Sequence, residues 1–444
     1  MGLGAGRGTA SPASAAALVI GTGARDSVAA RIATLLSIGL VAASCGMTSS
    51  TSAQRPRVTA LVGGVVLASP QVASIPDGVV LIEGSTILAV GPRDAVRVPP
   101  GAAVVDCAGG TVTAAFWNTH VHFIGEAFRG ADTAPAEGLA AGLRAMLTSY
   151  GVVHVVDTGS YLANTLALRR RIESGEVPGP SILTAGSGFA PGGGSPYYVL
   201  PAKIPELARP EDAALVDAEI ARGGDIVKLF TGSFASPRSI VVMPADVVRA
   251  AVEVAHRRRR LVLAHPSNSA GARAAIEGGV DVLAHTFPTS LDGTPWDRTL
   301  PALMKARGMG LIPTLKLWPY ELGRAGLPAQ IVEAVLANGV AQTRAFAELG
   351  GQLLFGTDVG YMTDYDPTDE FTYLQRAGLT SAQILEALTT NPAARFAHAQ
   401  TGRLAPGLAA DVVVLDGDPT QDVRRFARVR LTMRDGKILH GKIP

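Results

Sequence analysis

Apolar and polar positions change period along the chain, and the changes mark out its architecture. From Val58 to Asp106 apolar residues alternate in short bursts, "ALVGGVVLA" and then "GVVLIEGSTILAVGP", with "EGS" reading as a hairpin turn. The last segment repeats the pattern in "ADVVVLDGDP" and "VRLTMRDGKILHGKI", where "RDGK" is a strong hairpin signal. Neither β-rich end is large enough to be stable alone, so residues 58–112 and 400–444 are expected to pair into one small β-sandwich.

Between the ends, over residues 113–399, short apolar runs alternate with helical patterns eight times. The runs are "FWNTHVHF", "VVHVVDTG", "SILTAGS", "DIVKLFTG", "LVLAHP", "DVLAHT", "GLIPTLKL" and "LLFGTD". Amphipathic stretches such as "AEGLAAGLRAMLTSYG" and "ADVVRAAVEVAHRR" separate them. Eight strand and helix pairs in this span predict an α/β fold, a (β/α)8 TIM barrel, which typically takes about 250 residues. A doubly wound open sheet is the alternative, but no Gly-rich dinucleotide loop follows any strand.

Residues 1–50 have a different character. Ala, Gly and Ser dominate as far as Asp26, which predicts disorder, and an apolar run from Ile32 to Ala43 follows Arg31. That run is nearer the length of a signal-peptide core than the roughly 20 residues of a membrane span. "VAASC" resembles a loose bacterial lipobox without its usual Leu, so Cys45 is a candidate lipid-bearing residue and the protein a candidate exported, periplasmic or cell-envelope lipoprotein. The long preamble also fits a start codon downstream of Met1. With Cys45 lipidated, only Cys107 remains, and an intramolecular disulfide is excluded.

Composition adds exclusions. Hydrophobic residues make up 47% and charged residues 17%, enough for a large core, and Lys+Arg 39 against Asp+Glu 37 gives a net charge of only +2. The one basic run, His256 to Arg260, reads as a solvated helix end, so no nucleic-acid partner is expected. Gly 51 and Pro 29, spread between the apolar runs, fit many strand-to-helix turns.

The chemistry-bearing residues fall at strand ends. Residues two apart in a strand share a face, so His120 and His122 project together and Val121 points away. In a barrel they aim at the C-terminal end of the first strand, where barrel enzymes keep their active sites. Taken alone, the pair is equally a core pair satisfied by hydrogen bonds. His265 in "LVLAHP" and His285 in "DVLAHT" stand at matching ends of the fifth and sixth runs, and Asp358 ends the eighth. A strand-end aspartate also serves as a turn residue or helix N-cap. Lys228, in the fourth run among Ile226, Val227, Leu229 and Phe230, either snorkels to the surface or is held inside, where desolvation lowers its pKa toward a reactive neutral amine.

The set "THVHF", "VKLF", "LAHP", "LAHT" and "GTD" closely resembles the amidohydrolase superfamily of metal-dependent hydrolases, in the branch of imidazolonepropionase-like enzymes and Xaa-Pro dipeptidases. The resemblance runs from Val58 to Pro444 and includes "GRLAPGLAADVVVLDGDP". It departs in one place: Ala114 and Ala115, not Pro-Gly, lead into "FWNTHVH". The resemblance implies two divalent metal ions, most simply Zn²⁺. His120, His122 and Asp358 would hold one, His265 and His285 the other, and a carbamylated Lys228 would bridge them. It further implies hydrolysis of a C–N amide bond, peptide-like or cyclic, by a metal-bridging hydroxide, with Asp358 as the catalytic proton carrier.

Substrate contacts are expected from the long loops after strands three and eight, which carry Tyr197, Tyr198 and Tyr361, with Tyr365 among acidic residues. On the seventh run Lys316 shares a face with Thr314 and is a candidate partner for a substrate carboxylate; an exposed strand-end lysine is the plainer reading. His154, His256, His398 and His440 are read as structural. The partner expected is a small-molecule amide or peptide. Two alternatives stand: a mononuclear deaminase on the same barrel, which would generally lack a strand-four lysine, and a non-catalytic scaffold, which would have lost ligands.

Overall fold

The computed structural model of the protein describes residues 58–199, 202–287 and 295–442. The signal-like run and Cys45 lie outside the described residues. Among the described residues no helix is long and apolar enough to cross a membrane.

The chain ends pair with each other, in one continuous eight-stranded mixed sheet. Its central strand, Val58–Leu67, pairs antiparallel with Ile75–Glu83 and runs parallel to Ala103–Asp106 and Thr111–Ala114. The C-terminal strand Val412–Leu415 joins antiparallel to Thr111–Ala114, and Val429–Arg434 and Lys437–His440 extend the sheet. Both hairpins expected from the sequence are present. "EGS" turns between Glu83 and Thr86, and "RDGK" turns between Arg434 and Lys437. Asp435 and Gly436 both take positive φ, +50° and +70°, as a tight two-residue hairpin requires.

The middle of the chain supplies eight extended segments connected in TIM-barrel-like order: Phe116–Val121, Val152–Asp157, Ser181–Thr184, Val227–Phe230, Val262–His265, Val282–Ala284, Gly310–Ile312 and Gln352–Leu353. They are called barrel strands one to eight below. Ladders join one to two to three, and four through eight. Backbone hydrogen bonds bridge the remaining gaps. Phe189 N–H donates to Lys228 O beside strand four, and Thr119 N–H to Phe355 O between strands one and eight. One apolar cluster takes a residue from every strand or its immediate flank: Trp117, Val156, Ala185, Ile226, Leu263, Val282, Ile312 and Leu354. The intervening residues, among them Val121, Val155, Val227, Leu229, Ala264 and Leu283, pack instead with the helices. The strands are therefore apolar on both faces, as strands covered on both sides must be.

Three elements differ from the sequence expectation. Strand seven stops at Ile312, because Pro313 has no N–H to extend the ladder, and helix Leu317–Arg324 begins where the apolar alternation suggested more strand. Helix Thr368–Arg376 occupies part of the stretch read as loop after strand eight. A hairpin, Gly232–Ser236 with Ser239–Val242, follows strand four.

His154 does not face the mouth of the barrel. Its ring stacks on Trp117 at 4.6 Å, and Nε2 lies 2.9 Å from Asp411 of the C-terminal segment. It is a buried link between strand two and the end sheet.

Candidate metal centre

Strand alternation carries most of the site's geometry. Ile226 and Leu263 face the interior cluster, so Lys228 and His265, two residues on, stand one layer above them on the same side. Strands one and six are exceptions. In strand one Trp117 faces the interior cluster and Val121 the helices, so the alternation shifts at the register irregularity between Asn118 and Val121 and leaves His120 and His122 inward. Strand six departs at its end. Ala284 already faces inward, and simple alternation would send His285 out toward the helices. Instead His285 takes φ +79°, and the turn of backbone swings its ring inward, 4.3 Å from the ring of His120 and 4.7 Å from that of His265. Ser267, Thr314 and Asp358, just past the ends of strands five, seven and eight, also have positive φ. Four non-glycine residues in this sparsely allowed region, all just past the C-terminal ends of these strands, hold local strain that surrounding structure must maintain.

The structure brings together one ligand atom each from His120, His285 and Asp358, all within 4.8 Å of one another. His122 Nε2 lies 2.8 Å from Asp358 Oδ1, and the His120 and His122 ring centroids are 5.4 Å apart. Lys228 is 2% exposed, and burial lowers its amine to about 8, partly opposed by the charges of Asp358 and Asp157. His120, His265 and His285 are all driven well below their ordinary value, first by burial and then by neighbouring positive groups. They are neutral imidazoles with a lone pair to offer.

Hydroxyl groups decide which nitrogen offers it. Thr314 Oγ1 engages His285 Nδ1 at 2.6 Å, which leaves the Nε2 side of the ring for another partner. Ser267 Oγ donates to Gly232 O, so His265 gives its Nε2 proton to that oxygen at 3.0 Å and keeps Nδ1 free. His122 Nδ1 faces the Gly159 carbonyl at 2.8 Å, and its Nε2 faces the Asp358 carboxylate. Burial lowers the His122 pKa, but the hydrogen bond and charge of Asp358 outweigh it and raise the value, toward an imidazolium that donates to both acceptors; a divalent cation between Nε2 and Asp358 would take the place of the second proton. His120 Nδ1 is buried without any hydrogen-bond partner. Three neutral imidazoles, two of them held at one nitrogen by a hydroxyl, beside a carboxylate are a donor set that fits a divalent ion.

Residues the sequence reading passed over shape this set. Asn118 accepts the His120 and Thr357 N–H groups at 3.2 Å each and donates to Thr357 Oγ1, tying strand one to strand eight beside Asp358. Ser267 and Thr314 each engage one ring nitrogen, of His265 and His285. Gly360 passes so close to His122 that a Cβ would meet the His122 carbonyl oxygen at 1.8 Å. Asn118, Ser267 and Gly360 each stand two residues from His120, His265 or Asp358, and that spacing is their sequence signal; Thr314 stands out in the sequence only for sharing a face with Lys316.

The Tyr197 ring lies 5.6 Å from that of Tyr198, and Tyr198 lies 5.8 Å from Tyr361, joining the loops after strands three and eight. Lys316 is placed differently from the expectation. It is 4% exposed at the start of helix Leu317–Arg324, and its ammonium meets Asp364 Oδ2 at 2.8 Å and the carbonyls of Asp364 and Asp366. The strand-eight loop occupies this cation, and the Pro313 break that ended the strand turned it there. Lys316→Met is expected to cost about 1–3 kcal/mol, because two carbonyls lose their buried donor. The Michaelis constant should rise equally for substrates with and without a carboxylate. A rise confined to carboxylate-bearing substrates, in parallel assays of an acid and its amide, would return this amine to the substrate.

Comparison with known sequences adds the decisive observation: the model of the Amidohydrolase family matches residues 111–439. The chain belongs to the amidohydrolase family. Ochratoxinase of Aspergillus niger is 26% identical to this amidohydrolase over 245 residues, 51% of this chain and 48% of that one. The chain thus spans about half the length of the curated relatives it matches. Among solved structures, a Xaa-Pro dipeptidase with methionine bound in its active site is similar with a TM-score of 0.74 at 22% identity, over 86% of this amidohydrolase and 100% of that chain, a likeness of fold. A prolidase complexed with N-methylphosphonate-L-proline is similar with a TM-score of 0.71 at 26% identity, over 87% and 100% of the two chains.

Proposed function

We propose that this amidohydrolase cleaves a C–N amide bond, in a peptide-like or cyclic amide, at a two-metal centre held by His120, His122, Lys228, His265, His285 and Asp358 at the mouth of a (β/α)8 barrel. One observation carries the reading: His120, His285 and Asp358 bring ligand atoms within 4.8 Å of one another, His122 meets the Asp358 carboxylate at 2.8 Å, the His265 ring lies 4.7 Å from that of His285, and the buried Lys228 stands on the strand beside that of His265. Nitrogen and carboxylate ligands suit Zn²⁺ best. Bound there, a pair of divalent ions would lower the pKa of a shared water toward neutrality and polarise the scissile carbonyl.

The chain's own groups do the rest. Asp358, beside His120 and His122, accepts the proton of the attacking water and delivers it to the departing amine. The Lys228 ammonium, whose proton burial makes easier to lose, would give up that proton, form a C–N bond to carbon dioxide and release a second proton, so that an unwelcome buried cation becomes a two-oxygen anion that could hold the ions. Tyr197, Tyr198 and Tyr361, linked ring to ring across the two loops, form an aromatic rim for the substrate. The likeness to a prolidase and to ochratoxinase supports amide substrates.

Elemental analysis of the purified protein tests the reading. About two equivalents of divalent metal per chain, with hydrolysis in a screen of dipeptides and cyclic amides, is the expected result. One equivalent would favour the mononuclear deaminase, and none after reconstitution the scaffold.

A further inference from the structure

One fully buried carboxylate is left without a task by that reading. Asp157 ends strand two with no exposed surface. Val156 before it packs in the interior cluster, so Asp157 lies on the outer side of the barrel wall. There its Oδ2 accepts from Thr165 Oγ1 at 3.1 Å, on helix Leu162–Glu173, and from Thr184 Oγ1 at 2.7 Å, at the end of strand three. Its Oδ1 accepts from Ser160 Oγ at 2.5 Å and from Gly159 N–H at 3.4 Å.

The Oδ1 side leads to the metal centre. Ser160 Oγ, its proton given to Asp157, accepts the Phe123 N–H at 2.8 Å, immediately after His122. The Gly159 carbonyl takes the His122 Nδ1 proton at 2.8 Å, and the Thr158 N–H donates to Val121 O just before it. The histidine ring rests on the turn itself, since a Cβ on Gly159 would lie 3.0 Å from His122 Cε1. The four-residue turn Asp157 to Ser160 thus grips the backbone on both sides of His122 and its ring nitrogen as well, and a single carboxylate holds the turn.

We propose that Asp157 is a positioning residue for His122. It clamps the turn so that the Gly159 carbonyl keeps the proton on Nδ1 and leaves Nε2 directed at Asp358, a role that rests on the two-metal reading of the site. An ionised carboxylate suits this task because it accepts from four donors at once. An amide in its place turns a donor toward either the hydroxyls of Thr165 and Thr184 or that of Ser160. In the second case the Ser160 hydroxyl loses the acceptor for its own proton and the Gly159 N–H faces a donor, which loosens the turn from its centre.

Asp157→Asn, Ser160→Ala and Thr165→Val separate this role from simple packing. Two readouts are needed: zinc affinity by competition with a chelator, and the His122 Nδ1 proton in proton–nitrogen correlation spectra of histidine-labelled protein, with and without metal. Asp157→Asn is expected to weaken zinc binding about 10–100-fold, the usual effect of losing an outer partner of a ligand. It should also speed exchange of the Nδ1 proton. Ser160→Ala should move both readouts the same way by less, and it carries the test if Asp157→Asn does not fold. Thr165→Val, which removes only the donor on the helix side, should change neither. Wild-type affinity and an unchanged Nδ1 proton in Asp157→Asn or Ser160→Ala would overturn the proposal, and so would equal changes in Thr165→Val. If the wild-type protein binds no divalent ion, the two-metal reading fails, while the Nδ1 proton of the metal-free protein still decides whether Asp157 positions His122.

Discussion

Asp358→Asn is expected to fold normally and to turn over substrate roughly 10²- to 10⁴-fold more slowly, the range that a positioned proton carrier supplies. The fold should survive for a backbone reason. Asp358 sits at φ +64°, and Asn is, with Asp, among the few side chains that accept this conformation. The amide oxygen also remains to face His122 Nε2, now 2.8 Å from Oδ1, and the backbone bond from Asp358 N–H to His120 O is untouched. What disappears is the negative charge and, with it, any capacity to take a proton from water and return it to a leaving amine. Circular dichroism, thermal unfolding and turnover measured with saturating zinc separate the two effects. Near-normal turnover in a folded, metal-loaded variant would remove Asp358 from the proton path. Asp358→Ala is the poorer probe, because it adds strain at a left-handed position to the loss of the carboxylate.

Much of this arrangement is legible in the sequence because strands have a period of two. The spacing of His120 and His122, and the places of Lys228 and His265 two residues beyond interior apolar residues, follow from alternation alone. The same rule fails at His285, whose inward direction depends on a left-handed backbone turn. It fails again at Lys316, where "GLIPTLKL" has strand-like alternation but Pro313 ends the ladder and a helix begins. Periodicity records which residues are apolar and carries no trace of a missing N–H bond unless proline is given its weight. Asp157 escaped for a different reason. It lies behind the wall, touches no ligand directly, and in sequence resembles any aspartate in a strand-end turn. The pairing of the two chain ends was readable because neither could bury its own face; that they share one continuous sheet depends on Val412–Leu415 docking beside Thr111–Ala114, a contact between residues about three hundred positions apart.

Lys228→Ala is expected to lower bound metal from about two equivalents per chain to one or fewer, with activity falling in step. An ammonium enclosed at 2% exposure, 5.5 Å from the Phe230 ring, is disfavoured, and burial has already pulled its pKa down to about 8. At neutral pH that leaves roughly 300-fold more free amine than an ordinary lysine has, which is the form that reacts with carbon dioxide. Two cations placed beside an ammonium would repel it; beside a carbamate they gain an anionic bridge, so metal binding and carbamate formation support each other. Removing the side chain removes the bridge and leaves a gap of about its size. Short carboxylic acids fit such a gap, and acetate or propionate should restore part of the metal content and activity. Isotope-labelled bicarbonate should give a carbamate carbon signal in the wild-type protein that is missing from the variant. Full metal content in Lys228→Ala, or no carbamate signal in metal-loaded wild type, would mean that the ions are held without a bridge and that this buried lysine serves the barrel in some other way.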